Sequence, residues 1–237
     1  LFYKYALDMI NTREKAYLKI RKESQDISGI IELQASSVPG QYMVPQLISD
    51  FYKAHNGVRF YVELSDSEKA CENILNQKGE LGFVGISNNK AFTYYLLYKD
   101  KCKLITPKTK KYIEMWNNRH SLAMCDFNEV PLIWREDGSA TRELFEREYY
   151  CYYGTKVNVV ATINSLNGIK QAVAAGLGVS IVPSIAAADI INNNDILTFD
   201  LEDKHLDREF YLIHRKDTVL SPAANEFKHF ILKSFEA

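Results

Sequence analysis

From Gly29 to its end the chain alternates two kinds of segment, and that alternation limits the folds open to it. "GIIELQAS" is rich in apolar and β-branched residues and reads as a strand, while "YMVPQLISDFYKAH" has helical spacing. "VRFYVELS" and "DSEKACENILNQK" repeat the pair, with Ser65 and Glu68 at capping-box spacing. "GELGFVGIS" and "KCKLITP" read as strands, and a helical segment lies near 109–119. "VPLIWRE", a helix from Ser139 and "VNVVATIN" carry the alternation on. "SLNGIKQAVAAGLG" is a helix closed by glycines; "VSIVPS", "ILTFDLE" and "REFYLIHRK" are strands; "PAANEFKHFILKSF" is a last helix. Repeated βα units with short connections predict an α/β fold with mostly parallel sheets and helices on both faces.

At 237 residues the chain suits one large domain or two small ones. Lys and Arg number 29 against 30 Asp and Glu, so a surface basic throughout, of the kind that wraps nucleic acid, is excluded. No apolar run is long enough to span a bilayer. Cys71, Cys102, Cys125 and Cys151 are irregularly spaced with no CxxC, which fits reduced thiols in a cytoplasmic protein. The five histidines share no ligand spacing, and neither HExxH nor a P-loop is present. Gly176-Leu-Gly178 follows a helix and precedes a strand, the reverse of a dinucleotide fingerprint, so it reads as a helix stop. Gly85-Ile86-Ser87 begins like a nucleophile elbow but has Asn89 where the final Gly belongs. The expectation is therefore no enzyme, no metal and no cofactor.

Residues 1–24 contain no Pro or Gly and carry a basic excess. Phe2, Ala6, Met9, Ala16 and Ile20 form a short heptad-like stripe, interrupted by Arg13. Two readings stand: a helix packed on its own domain, or a linker helix that pairs with another copy.

Four β-to-α junctions carry small polar residues: "ASSVPGQY", "GISNN", "REDGSATR" and "TINSLNG". In open parallel sheets ligands bind beyond the carboxyl ends of the strands, where following helices present unpaired N–H groups and a partial positive charge. Hydroxyls at Ser36, Ser37, Ser87, Ser139 and Thr141 add neutral donors, Asn164 an amide, and Arg142 a charged donor. Ser, Thr and Asn are also the preferred helix caps, so caps and an anion cradle remain two readings of the same residues.

The stretch from Gly29 through "GELGFVG" resembles the start of the effector-binding domain of LysR-type transcriptional regulators, with Gly40, Tyr42, Pro45, Phe51, Leu75 and Gly79 in place. Glu80-Leu81 departs from the family's Asp-containing turn, and Asn56-Gly57 stands where Tyr-Pro is common. "REDGSATRELFE" resembles the second-half loop of the family, with Ala140 for a Gly, and looks most like members that sense inorganic or sulfur-containing anions. "INSLNGIKQAVAAGLGVSIVPSIAA" matches most closely.

The resemblance implies two Rossmann-like lobes joined by two crossover strands, as in type 2 periplasmic-binding-protein folds, after a linker helix. The implied division is a linker and dimerisation helix at 1–27, lobe I at 28–105 plus 207–237, and lobe II at 106–206. A small anionic effector would sit between the lobes. Its contacts would be Ser36, Ser37, the Val38 N–H and Ser87 from lobe I, with Ser139, Thr141, Arg142 and Asn164 from lobe II. The implied partners are a second copy, as homodimer or homotetramer, and DNA, reached through an N-terminal winged helix-turn-helix absent from this chain. A periplasmic solute-binding protein for a small oxyanion or carboxylate is the rival, and the linker-like helix speaks against it.

Overall fold

The computed structural model describes residues 6, 9, 10, 12, 13, 27–86, 88–123, 126, 129–153, 157–192, 195–202 and 206–235. The expected linker helix at 1–27 lies for the most part outside them; of its stripe, Ala6 and Met9 are described, and both are helical.

In chain order the elements are β1 (Ser28–Ser36), α1 (Ser37–Tyr42), α2 (Val44–Ala54), β2 (Gly57–Ser65), α3 (Ser67–Leu75) and β3 (Leu81–Val84). Then come β4 (Phe92–Pro107), α4 (Lys110–Asn118), β5 (Ser121–Leu122), β6 (Leu132–Trp134), α5 (Ala140–Tyr153), β7 (Val159–Thr162) and α6 (Leu166–Ala174). β8 (Ser180–Pro183), α7 (Ser184–Ala187), a 3-10 turn (Ala188–Asn192), β9 (Ile196–Leu201), β10 (Asp207–Arg215) and α8 (Pro222–Phe235) complete the described chain.

These elements form two units. The first holds the described residues of Leu1–Ser65, Lys69–Leu97 and Tyr211–Ala237, and the second those of Asp66–Glu68 and Tyr98–Phe210. β4 and β10 each give residues to both. This is the α/β architecture of two Rossmann-like lobes with two crossover strands.

In the first unit β1 lies parallel to β2 on one side and to β3 on the other, and β10 runs antiparallel to β3. Ile31, Leu33 and Ala35 of β1 are fully buried, as a central parallel strand covered on both faces requires. Phe51 of α2 meets the rings of Phe60, Phe227 and Phe230 at centroid distances of 6.0, 4.9 and 5.5 Å, so α8 closes the core that α2 opens.

In the second unit β4 pairs antiparallel with β8 and β9, β5 is parallel to β9, and β6 is parallel to β7. Leu104, Trp134, Phe145, Tyr149, Ile181 and Phe199 belong to its core. Tyr149, in the second half of α5, is 2% exposed and packs into this core. Gly176, at φ +83°, ends α6 as its motif indicates. Gly178 lets the chain pass close to β6, since a Cβ there would stand 2.3 Å from the Pro131 carbonyl oxygen.

The sheets are more mixed than the βα pattern predicts. Every antiparallel pair identified above involves β4 or β10. Among the described residues both follow a strand with no α-helix between (β3 to β4, β9 to β10), so no βα crossover sets their direction.

Candidate functional site

In the first unit the registers align Ser36 with Ser65, so β1 and β2 end level. The chain turns at once into the six-residue α1, and Ser36 occupies its N-cap position without a side-chain cap bond. Ser37 Oγ donates to the Ser65 carbonyl at 3.3 Å, tying the loop to β2. Val38 is buried and stands in the first helical turn, where backbone N–H groups have no partner within the helix. The structure thus brings Ser36, Ser37 and Val38 together at one strand end. Ser87 lies outside the described residues.

In the second unit Trp134 of β6 is level with Thr162 of β7, and the Ile163 N–H donates to the Trp134 carbonyl at 2.9 Å. Two loops therefore leave the same end of this strand pair. The first turns through Gly138, whose φ of +81° suits glycine. Ser139 stands where a cap belongs: its carbonyl accepts the Glu143 N–H at 3.0 Å. Its hydroxyl caps nothing. The second loop is capped by Ser165, whose Oγ accepts the Gly168 N–H at 3.2 Å. Asn164 beside it is exposed. At this junction the cap and the neighbouring amide are separate residues.

Ser36, Ser139 and Thr141 are 6%, 5% and 4% exposed. No hydrogen-bond partner for any of their hydroxyls stands among the described residues. Arg142 differs: it meets Asp137 Oδ1 at 2.7 Å, Glu146 Oε1 at 3.1 Å and the Arg135 carbonyl at 3.2 Å. A ligand would compete with those partners for its guanidinium.

Two buried cations lie near the "REDGSATR" loop that the junction pattern does not pick out. Arg135 forms a fork with Glu136, at 2.8 Å from Nε and 2.7 Å from Nη2. Arg208, on β10, is 6% exposed, and its guanidinium lies over the Phe210 ring at 5.5 Å. The signal for it is the strand period: Arg208, Phe210 and Leu212 are all buried, so a charge occupies an inward-facing position. Burial holds the Arg208 pKa below the usual arginine value, with neighbouring Arg135 acting the same way and Cys102, Asp100 and Glu143 opposing. Burial, followed by Glu68, raises the Glu143 carboxyl.

Among the described residues no group of three or more His, Cys, Asp or Glu could hold a metal ion, and no helix is long and apolar enough to cross a membrane.

The family described as LysR substrate binding domain matches residues 24–236. An HTH-type transcriptional regulator of Methanocaldococcus jannaschii is 27% identical over 98% of this chain and 78% of its own length. The HTH-type transcriptional activator CmpR of Synechocystis is 30% identical over 86% of this chain and 66% of its own. Among solved structures, the effector binding domain of QuiR in complex with shikimate has a TM-score of 0.77 at 21% identity, covering 89% of this chain and 98% of that one. The regulatory domain of CcmR from Synechocystis in complex with 2-PG has a TM-score of 0.79 at 18% identity, covering 88% and 98%.

Proposed function

The chain belongs to the LysR substrate-binding-domain family, and from that premise we propose that it is the ligand-sensing part of a LysR-type, DNA-binding transcriptional regulator acting in the cytoplasm. It binds a small anionic metabolite and couples that binding to the geometry of a homodimer or homotetramer. DNA would be read by a module outside this chain. The effector acts by binding one arrangement of the oligomer more tightly than another, since a ligand shifts an equilibrium only by its differential affinity.

The hydroxyls of Ser36, Ser139 and Thr141, carried on buried residues and with no hydrogen-bond partner among the described residues, carry the reading. An anion can accept from these groups, and first-turn N–H groups of the following helices favour negative charge at the same places. The effector contacts we assign are Ser36, Ser37, the Val38 N–H and Ser87, together with Ser139, Thr141, Arg142 and Asn164 in the second unit. The two solved relatives that hold shikimate and 2-PG support a small-molecule effector.

Thermal denaturation against a panel of small oxyanions and carboxylates tests this. At least one anion should raise Tm with its concentration, as binding to the folded state alone requires. A flat response across the panel at millimolar concentration overturns the reading.

A further inference from the structure

Arg208 is a buried charge of the second unit with no ionic partner among the described residues. Its Nε is fully buried without a hydrogen-bond partner, and among the described residues no hydrogen bond or ion pair reaches the rest of its guanidinium. The groups in electrostatic reach do not make good the deficit. Arg135 is a second cation, and its fork is filled by Glu136. Asp100 already accepts from Ser184 Oγ at 2.5 Å, from the Lys101 N–H at 2.9 Å and from the Ile185 N–H at 3.1 Å. Burial pushes the Cys102 thiol up to about 12, so it brings no negative charge. Glu143 is exposed. A buried cation without a counter-charge is costly, and the guanidinium fork fits the paired oxygens of a carboxylate, phosphate or sulfate.

Its place relates this charge to the hydroxyls. Arg135, just before the Gly138 turn, and Glu143, bonded through its N–H to the Ser139 carbonyl, both act electrostatically on Arg208. Arg208 therefore lies within electrostatic reach of the loop that presents Ser139 and Thr141.

We propose that Arg208 is the charge-recognising residue of the effector site: its guanidinium takes two oxygens of an oxyanion group whose remaining oxygens meet Ser139 and Thr141. This rests on the anion-sensing function proposed above. It adds that the effector's charged group is held in the second unit by a residue that otherwise lacks an ionic partner.

Stability and binding should then separate. A structural arginine stabilises the fold, whereas a ligand-awaiting one does not, because replacing an unpaired buried charge by an apolar chain of similar size is neutral or stabilising. The test uses the whole chain as wild type, Arg208→Met and Arg208→Lys, with sodium sulfate, sodium phosphate and sodium shikimate as probes. Thermal denaturation without anions and isothermal titration calorimetry with them are the measurements. Arg208→Met should keep or raise the anion-free Tm while weakening the binding probe about 100-fold or more. Arg208→Lys, which keeps the charge but loses the fork, should fall in between. Binding of sulfate and phosphate but not shikimate assigns a tetrahedral anion, and the reverse assigns a carboxylate; either supports the proposal when Arg208→Met abolishes it. A fall of several degrees in the anion-free Tm of Arg208→Met overturns it in favour of a structural role. Equal binding by wild type and Arg208→Met overturns it and leaves the anion reading standing. A wild type that binds no probe overturns both.

Discussion

At the end of β1 the first unit offers Ser36, Ser37 and the Val38 N–H, and the segment 35–43 holds no charged residue. At the end of β6 the second unit offers Ser139 and Thr141 among Arg135, Glu136, Asp137, Arg142 and Glu143, with Arg208 in electrostatic reach of two of them. Both are strand-to-helix junctions with unpartnered hydroxyls on buried residues, yet one is neutral and the other dense with charge. Neutral donors discriminate by shape and hydrogen-bond count, and cations add affinity for charge itself. On the proposed effector site, this contrast would give hydrogen-bond selectivity to the first unit and charge recognition to the second.

The largest expected effect concerns how rigidly each junction is supported. Gly178→Ala drives a Cβ to 2.3 Å from the Pro131 carbonyl oxygen, a backbone atom next to β6 that cannot swing aside. Urea denaturation should show a loss of roughly 3 kcal/mol or more. Gly40→Ala in the first unit also meets an atom at 2.3 Å, but that atom is the tip of Leu64, a half-exposed side chain that can rotate away. Its cost should be about 1 kcal/mol. Equal losses would remove this difference between the units.

Next comes the split of anion affinity. Ser139→Ala with Thr141→Ala removes two donors from the charged loop and should weaken the anion that raises Tm by roughly 30-fold or more, since each hydrogen bond to a charged group is worth about 1.5–3 kcal/mol. Ser36→Ala should weaken it less, by about 3- to 10-fold. Calorimetric titration of both variants decides; a larger loss at Ser36 would invert the comparison.

The smallest effect should separate capping from binding. Ser165→Ala removes a real cap bond and should cost about 1 kcal/mol of stability, read from Tm, with the anion response unchanged. A fall in anion affinity there would mean that the neighbouring Asn164 depends on the cap for its position.

The alternation of segments made most of the fold legible, because strand and helix periods are local properties of the chain. What it did not give was partnership. The first half of β4, "FTYYLLYKD", mixes aromatic and charged residues and alternates in and out of the core irregularly, so it has no clean period to read. The antiparallel pairing of β4 and β10 depends on which strands meet in space. The same limit governs the site. Ser36 and Ser139 stand out by residue type at a junction. Arg208 looks like an ordinary surface charge until Phe210 and Leu212 show which way its strand faces. The choice of cap between Asn164 and Ser165 is likewise a matter of one residue of register, below what spacing resolves.

The passage of β4 and β10 through both units has a consequence for synthesis. The second unit is encoded almost without interruption from Tyr98 to Phe210. The first needs Tyr211–Ile213 beside β3 and Phe227 against Phe51, both made after the second unit. A chain emerging from the ribosome can therefore complete its middle while its beginning still waits. The neutral junction, although translated first, is the later of the two to gain its full support. Until then α2 and β2 carry Phe51 and Phe60 without the ring that covers them, and this interval is where a nascent chain is most open to chaperone capture or aggregation.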